Sequence, residues 1–139
     1  MRAFREAVDA RDEAAIEALM ADDIRFTSPV AFTPYHGRHI TAAILRAVMR
    51  VMGEGFRYVE EYASDDGRDH ALRFETTIDG KTLGGCDFIH VNEAGQIDDL
   101  RVMVRPLSAA HALSEAMGAE FDRIGAEAAE AAESATNRR

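Results

Sequence analysis

One carboxylate stands where the sequence could do chemistry. In "GGCDFIHVNEAGQIDDL", residues 84–100, Asp87 sits just ahead of the apolar run Phe88, Ile89 and Val91. A charge at the mouth of a buried strand is disfavoured unless it is paired. Two roles fit it: a pocket acid that bonds a ligand carbonyl or hydroxyl, or a structural carboxylate held by backbone or by an arginine. Along a strand Asp87, Ile89 and Val91 share one face, while Phe88 and His90 share the other. His90 therefore points away from Asp87, and no proton relay joins them. His36 and His39 flank Gly37, but no cysteine or acid stands at matching ligand spacing, so no metal site is expected. Cys86 is the single cysteine; it cannot form an internal disulfide, and a packed small side chain is a simpler reading than a nucleophile.

The elements that must position Asp87 follow from period and punctuation. A chain of 139 residues is one domain, long enough for a core and a modest cavity. The net charge of −9 offers no basic stripe for phosphates and argues against nucleic acid and anionic membranes. No run approaches the length of a membrane span and no signal-peptide pattern opens the chain, so a soluble, cytoplasmic protein is expected.

Residues 3–10 and 12–20 read as helices, with Asp12 as N-cap of the second. Ile24, Phe26 and Ser28 alternate as a short strand that ends before Pro29. "VAFTPYHG" is a loop. Ile40, Ile44, Val48 and Val51 fall at helical spacing, and Gly53 and Gly55 end that helix. Four strands follow as a meander: "FRYVEEYA", "ALRFETTI", the stretch holding Asp87, and "IDDLRVMVRP", with Asp79-Gly80 as a tight hairpin turn. Leu113, Met117, Phe121 and Ile124 mark a last helical face. Residues 1–124 are thus read as one domain. Residues 125–139 form an Ala/Glu-rich tail with no large apolar residue to bury, which is expected to fray.

Helices segregated from an antiparallel meander define an α+β fold, in which a curved sheet around helices leaves a concave pocket. This order over residues 3–117, with "ADDIRFTSP…G…I", the hairpin "NEAGQI" and the closing "RVMVRPL", resembles the NTF2-like superfamily and its SnoaL-like branch. The resemblance implies a cone-shaped, cystatin-like antiparallel sheet packed on N-terminal helices, with an apolar interior pocket. It also implies a homodimer through the outer sheet face, where Val59, Ala71, Phe88 and Met103 are read to lie. The superfamily hosts ketosteroid isomerases, epoxide hydrolases, polyketide cyclases, dehydratases and plain binding proteins, so the pocket residues must decide function.

Each catalytic template is only partly filled. The isomerase loop resembles "SPVAFTPYHG", but Ser28 stands where the general base belongs, and an unaided hydroxyl does not take a proton from carbon. Phe4 falls near the oxyanion tyrosine. Asp87, eight residues before Gly95, matches the second oxyanion donor. Arg73 and Glu75 mimic the Arg-x-Asp of the epoxide hydrolases, yet Arg105 occupies the place of their second carboxylate and of the cyclase acid. The expectation is a protein that binds a small apolar molecule with one polar group. The ligand-binding residues would be Phe26, Ser28, Phe32, Tyr35, Tyr58, Phe74, Asp87 and Ile89, with no cofactor. The alternative is a cofactor-independent isomerase, cyclase or dehydratase that uses Asp87 as acid.

Overall fold

Among the described residues there are six strands and five helices, and alternation along the strands decides what each strand faces. The computed structural model describes residues 1–137. In order they are α1 (Arg2–Asp9), α2 (Glu13–Ala18), β1 (Met20–Thr27), β2 (Tyr35–His36), α3 (Arg38–Met52), β3 (Arg57–Ala63), β4 (Asp69–Ile78), β5 (Lys81–Val91), β6 (Ile97–Arg105), α4 (Leu107–Gly118) and α5 (Phe121–Asn137). The strands make one sheet in the order β2-β1-β6-β5-β4-β3. The meander β3 to β6 is antiparallel, but β1 runs parallel to β6. The sheet is therefore mixed rather than wholly antiparallel. The long helical excursion between β1 and β3 carries the chain across the fold and makes this parallel pairing possible. β2 lies inside the stretch read as loop, where Tyr35 and His36 pair with Phe26 and Arg25.

Local chemistry sets the element ends. Asp12 caps α2 by accepting from Ala15 N at 3.1 Å. Asp79 and Gly80, with φ of 50° and 74°, close the β4–β5 hairpin as a tight turn.

One sheet face and the helices form the core. Leu72, Phe74 and Thr76 of β4, Leu83, Asp87 and Ile89 of β5, and Leu100 of β6 point inward and are buried. The opposite face carries Tyr62, Phe88 and Met103, which are 60%, 42% and 53% exposed.

The tail is helical and rests on the fold. Residues up to Asn137 continue α5, whose Ile124 is buried and whose Ala128 packs against the core. Small alanines let α5 approach α3 closely, and charged side chains complete the contact. Glu127 lies 3.0 Å from Arg46 Nε and 3.0 Å from Arg123 Nε, and Glu120 lies 2.9 Å from Arg50 Nη2. Helical propensity alone leaves such a segment marginal; the ion pairs to α3 supply the tertiary partner that apolar periodicity did not reveal. Arg138 and Arg139, the end of the tail expected to fray, lie outside the described residues.

Candidate functional site

The pocket begins with glycine. Gly85 of β5 stands opposite Phe74 of β4, and its missing side chain lets the Phe74 ring lie flat over the strand. Phe74 then stacks on Phe56 at 5.0 Å, and Phe56 meets Tyr58 edge-on at 5.0 Å. These rings form one side of a cavity of about 160 Å³ between the sheet and the helices. The other side is aliphatic and thioether: Leu45, Val48, Met49 and Met52 of α3, with Leu113 and Met117 of α4.

Asp87 and Tyr58 bring polar atoms to the inner wall. Asp87 is 8% exposed, and its Oδ2 accepts a hydrogen bond of 2.7 Å from Tyr58 Oη. Burial pushes the Asp87 carboxyl up to about 7, against the Tyr58 hydrogen bond, which lowers it. Burial likewise raises Tyr58 well above the usual tyrosine range, and the Asp87 charge adds to this. A carboxyl raised this far can keep its proton near neutral pH and donate to a ligand oxygen; when ionised it accepts from a ligand hydroxyl. The Arg5 guanidinium sits over the Tyr58 ring, 5.8 Å from its centroid, and pairs with Glu61 at 3.0 Å rather than with Asp87.

A bulge in β3 makes the Tyr58–Asp87 pair possible. Tyr58 opposes Phe74 on the inner face, but the register shifts before Glu60, which opposes Arg73. Without the shift Tyr58, Glu60 and Tyr62 would share one face. With it Tyr58 stays inside, while Glu60 reaches Arg73 Nε at 2.6 Å on the outside.

Five of the eight residues read from sequence line the cavity: Phe26, Ser28, Tyr58, Phe74 and Asp87. Ser28 Oγ accepts from Val30 N at 3.1 Å and so shapes the loop. Phe32, Tyr35 and Ile89 do not line the cavity. Phe32 is 98% exposed, because no element covers the loop between Pro29 and Pro34. Tyr35 is held in β2 against Phe26, with ring centroids 6.3 Å apart. Ile89 is buried two residues along β5 from Asp87, in core outside the cavity. Arg73 and Glu75 fall on the outer face, where Glu75 lies 3.7 Å from Arg57, and Arg105 is exposed. The epoxide-hydrolase resemblance of Arg73 and Glu75 therefore supplies no group to the pocket.

Three polar residues at the cavity were not foreseen: Asp9 at the end of α1, Arg11 after it, and Glu54 after α3. Asp9 follows Arg5 by one helical turn, a spacing that could have placed both beside one another. Met49 and Met52 were hidden in the apolar run of α3. Among the described residues no group of three or more His, Cys, Asp or Glu side chains is arranged to hold a metal ion, and no helix is long and apolar enough to cross a membrane.

A cone of sheet and helices around an apolar pocket with an acid on its inner wall is the NTF2-like, cystatin-like architecture. The SnoaL-like domain matches residues 1–100, and the chain belongs to the SnoaL-like family. A protein from Silicibacter pomeroyi DSS-3 described as uncharacterized, conserved in bacteria and with a cystatin-like fold is 37% identical, with a TM-score of 0.80 over 86% of this chain and 82% of its own. A steroid delta-isomerase from Pseudomonas aeruginosa is 35% identical, with a TM-score of 0.82 over 88% of this chain and 89% of its own. RV0760c from Mycobacterium tuberculosis, solved in complex with estradiol-17beta-hemisuccinate, shares the fold at 21% identity, with a TM-score of 0.60 over 76% of this chain and 94% of its own. No curated protein sequence matches the chain significantly.

Proposed function

We propose that this protein binds a small, largely apolar molecule in its cone pocket and holds one polar atom of it against Asp87 and Tyr58. The observation that carries this reading is a single buried acid on the wall of a mainly apolar cavity, with Oδ2 engaged by Tyr58 and no protein group bonded to Oδ1 among the described residues. Apolar walls with a few convergent polar groups are the usual make-up of a small-molecule site. The cavity of about 160 Å³ favours a single-ring ligand. An apolar cavity of about 150 Å³ takes up benzene.

A second reading is a cofactor-independent isomerase, cyclase or dehydratase with Asp87 as pocket acid. It is favoured by the 35% identity to a protein named steroid delta-isomerase and by a carboxyl whose pKa burial raises to about 7. Ser28 in the place of the expected base weighs against it, so binding is the primary reading.

The proposal includes a homodimer that covers Tyr62, Phe88 and Met103 on the outer sheet face. It also includes a cytoplasmic setting, in keeping with an unpaired Cys86. The test is a thermal-shift comparison of cyclic ketones and phenols with hydrocarbons of matched shape. The oxygenated compounds should raise the melting temperature more than the hydrocarbons. Equal shifts, or none in either set, would count against a polar anchor in the pocket.

A further inference from the structure

Among the described residues the cavity is lined by one basic side chain, Arg11. Asp12 N donates to Ala7 O at 2.9 Å and Arg11 N to Val8 O at 3.0 Å, the paired bonds that close a helix C-terminus. Arg11 therefore stands just past α1, at the position that favours glycine. Its φ of 52° lies in the left-handed region that a side chain disfavours. Glycine would close this turn without strain, so the backbone gives no reason for an arginine. Strain of this kind collects where a side chain serves a ligand. The guanidinium itself has little to hold it. Its Nη1 donates to the Met49 carbonyl at 3.3 Å, a carbonyl that already accepts from Gly53 N at 3.1 Å. At that length the Arg11 bond is weak for an N–H···O contact. The arginines of α1 and α3 each pair with a carboxylate: Arg2, Arg5, Arg38, Arg46 and Arg50. Arg11 pairs with none among the described residues, although Asp9 and Glu54 line the same cavity. Exposed carboxylates are the background on a chain of net charge −9 and single out no ligand. An unpaired guanidinium beside an apolar cavity does, because its planar fork of N–H donors matches a carboxylate.

We propose that Arg11 makes the pocket selective for acids: a single ring whose oxygen rests on Asp87 and Tyr58, with a short tail that ends in a carboxylate on the Arg11 guanidinium. This rests on the binding reading above and names the class of ligand. The ring is buried against the aromatic wall, while the carboxylate stays at the exposed end and keeps part of its water, so its desolvation cost is small. Arg11 exchanges one long bond to a neutral carbonyl for two parallel bonds to a charged acceptor. Met49 O keeps its Gly53 partner through this exchange, and no buried acceptor is orphaned. A ligand ammonium is the opposite case: it would pair with Asp9 or Glu54 and be repelled by Arg11.

The probes are single-ring phenols with different tails: 4-propylphenol, 3-(4-hydroxyphenyl)propionate and tyramine, which are neutral, anionic and cationic at neutral pH. Calorimetric titration of the wild type in low salt should rank the acid above the neutral phenol by about tenfold or more, the worth of a charge-assisted hydrogen bond, and the amine last. Added salt should narrow the gap. Arg11→Gly should lose the advantage of the acid while binding 4-propylphenol as the wild type does. Its melting temperature should hold or rise, because glycine suits the left-handed turn. Arg11→Asn, which also tolerates that turn, should behave in the same way. Arg2→Gln removes the same charge from an exposed residue of α1 outside the cavity and should keep the advantage. The proposal is overturned if the wild type binds the acid no tighter than the neutral phenol, if the amine binds tightest, or if either Arg11 variant keeps the advantage. It is also overturned if both variants lose affinity for every phenol together with several degrees of melting temperature, since Arg11 would then be structural. Binding of none of the phenols by the wild type would overturn the binding reading itself, and this proposal with it.

Discussion

Tyr58 and Asp87 are joined by a 2.7 Å hydrogen bond that passes over β4, linking β3 to β5 across the inner face of the sheet. Every strand register from Tyr58 through Phe74 and Leu72 to Asp87 must be right for it to form. The bond satisfies one oxygen of a buried acid and leaves the other to the cavity. A group so placed couples the fold, the pH and the ligand.

The pH dependence has a definite sign. Burial raises the Asp87 carboxyl to about 7 in the folded chain, from its ordinary value of 3.8 when unfolded. Well below pH 4, at about pH 3 and lower, both states are protonated, and burial carries no charge penalty. As pH rises through the interval the unfolded carboxyl ionises first, so stability falls until the folded pKa is passed. Asp87→Asn removes the penalty and keeps an acceptor for Tyr58. It should match the wild type near pH 3 and exceed its stability at pH 8 by on the order of 3 kcal/mol. Denaturant melts at the two pH values check this; an Asn variant weaker at both would mean that the carboxylate is structurally required.

Gly85 is predicted to tolerate no side chain. A Cβ there would overlap Phe74 Cζ and lie 2.7 Å from the Met103 carbonyl oxygen, and Phe74 is fully buried. Gly85→Ala should lower stability by roughly 2–4 kcal/mol and disturb the aromatic wall of the pocket. A melting temperature equal to the wild type would show that the wall relaxes freely.

Removal of the chain after Gly125 should be felt. The cut deletes Glu127, the shared partner of Arg46 and Arg123, and strips cover from α3, whose other face lines the pocket. The ion pairs are partly exposed and worth little singly, so a loss of roughly 1–2 kcal/mol is expected, most of it from packing. Differential scanning calorimetry should show a fall of several degrees; an unchanged midpoint would mean that α5 adds nothing.

The outer face is predicted to be an interface between copies. Phe88 and Met103, at 42% and 53% exposure, stand close together on adjacent strands. Sedimentation at micromolar concentration should give a dimer for the wild type and a monomer for Phe88→Glu, because a charge buried without a partner is costly. A monomeric wild type would refute it.

Residue patterns made some of this architecture legible and hid the rest. The two-residue period placed Asp87 and Ile89 on one strand face and Phe88 on the other, and the Asp79-Gly80 turn fixed the hairpin that carries them. The same period, carried through β3, put Glu60 and Tyr62 beside Tyr58, because a bulge leaves no mark in hydrophobic alternation. The Tyr58–Asp87 bond was hidden for that reason: it depends on two registers and a bulge, 29 residues apart. The docking of α5 was hidden because alanines and paired charges carry it, and apolar spacing reports only large side chains. Phe32 misled because an aromatic residue in a loop near a pocket need not turn inward. Asp9 and Glu54 passed unseen because helix ends look alike in sequence whether they border a cavity or open water.

The central claim is that Asp87 holds the polar atom of the ligand, and calorimetric titration of one cyclic ketone tests it most directly. The wild type, Asp87→Asn and Asp87→Leu are titrated at the same pH, each after its melting curve has shown a folded protein. Asn still donates a hydrogen bond and should keep most of the affinity. Leu cannot, and should weaken binding by roughly 1–3 kcal/mol, the range for an unmade buried hydrogen bond. A folded Asp87→Leu variant that binds the ketone as tightly as the wild type would contradict the account.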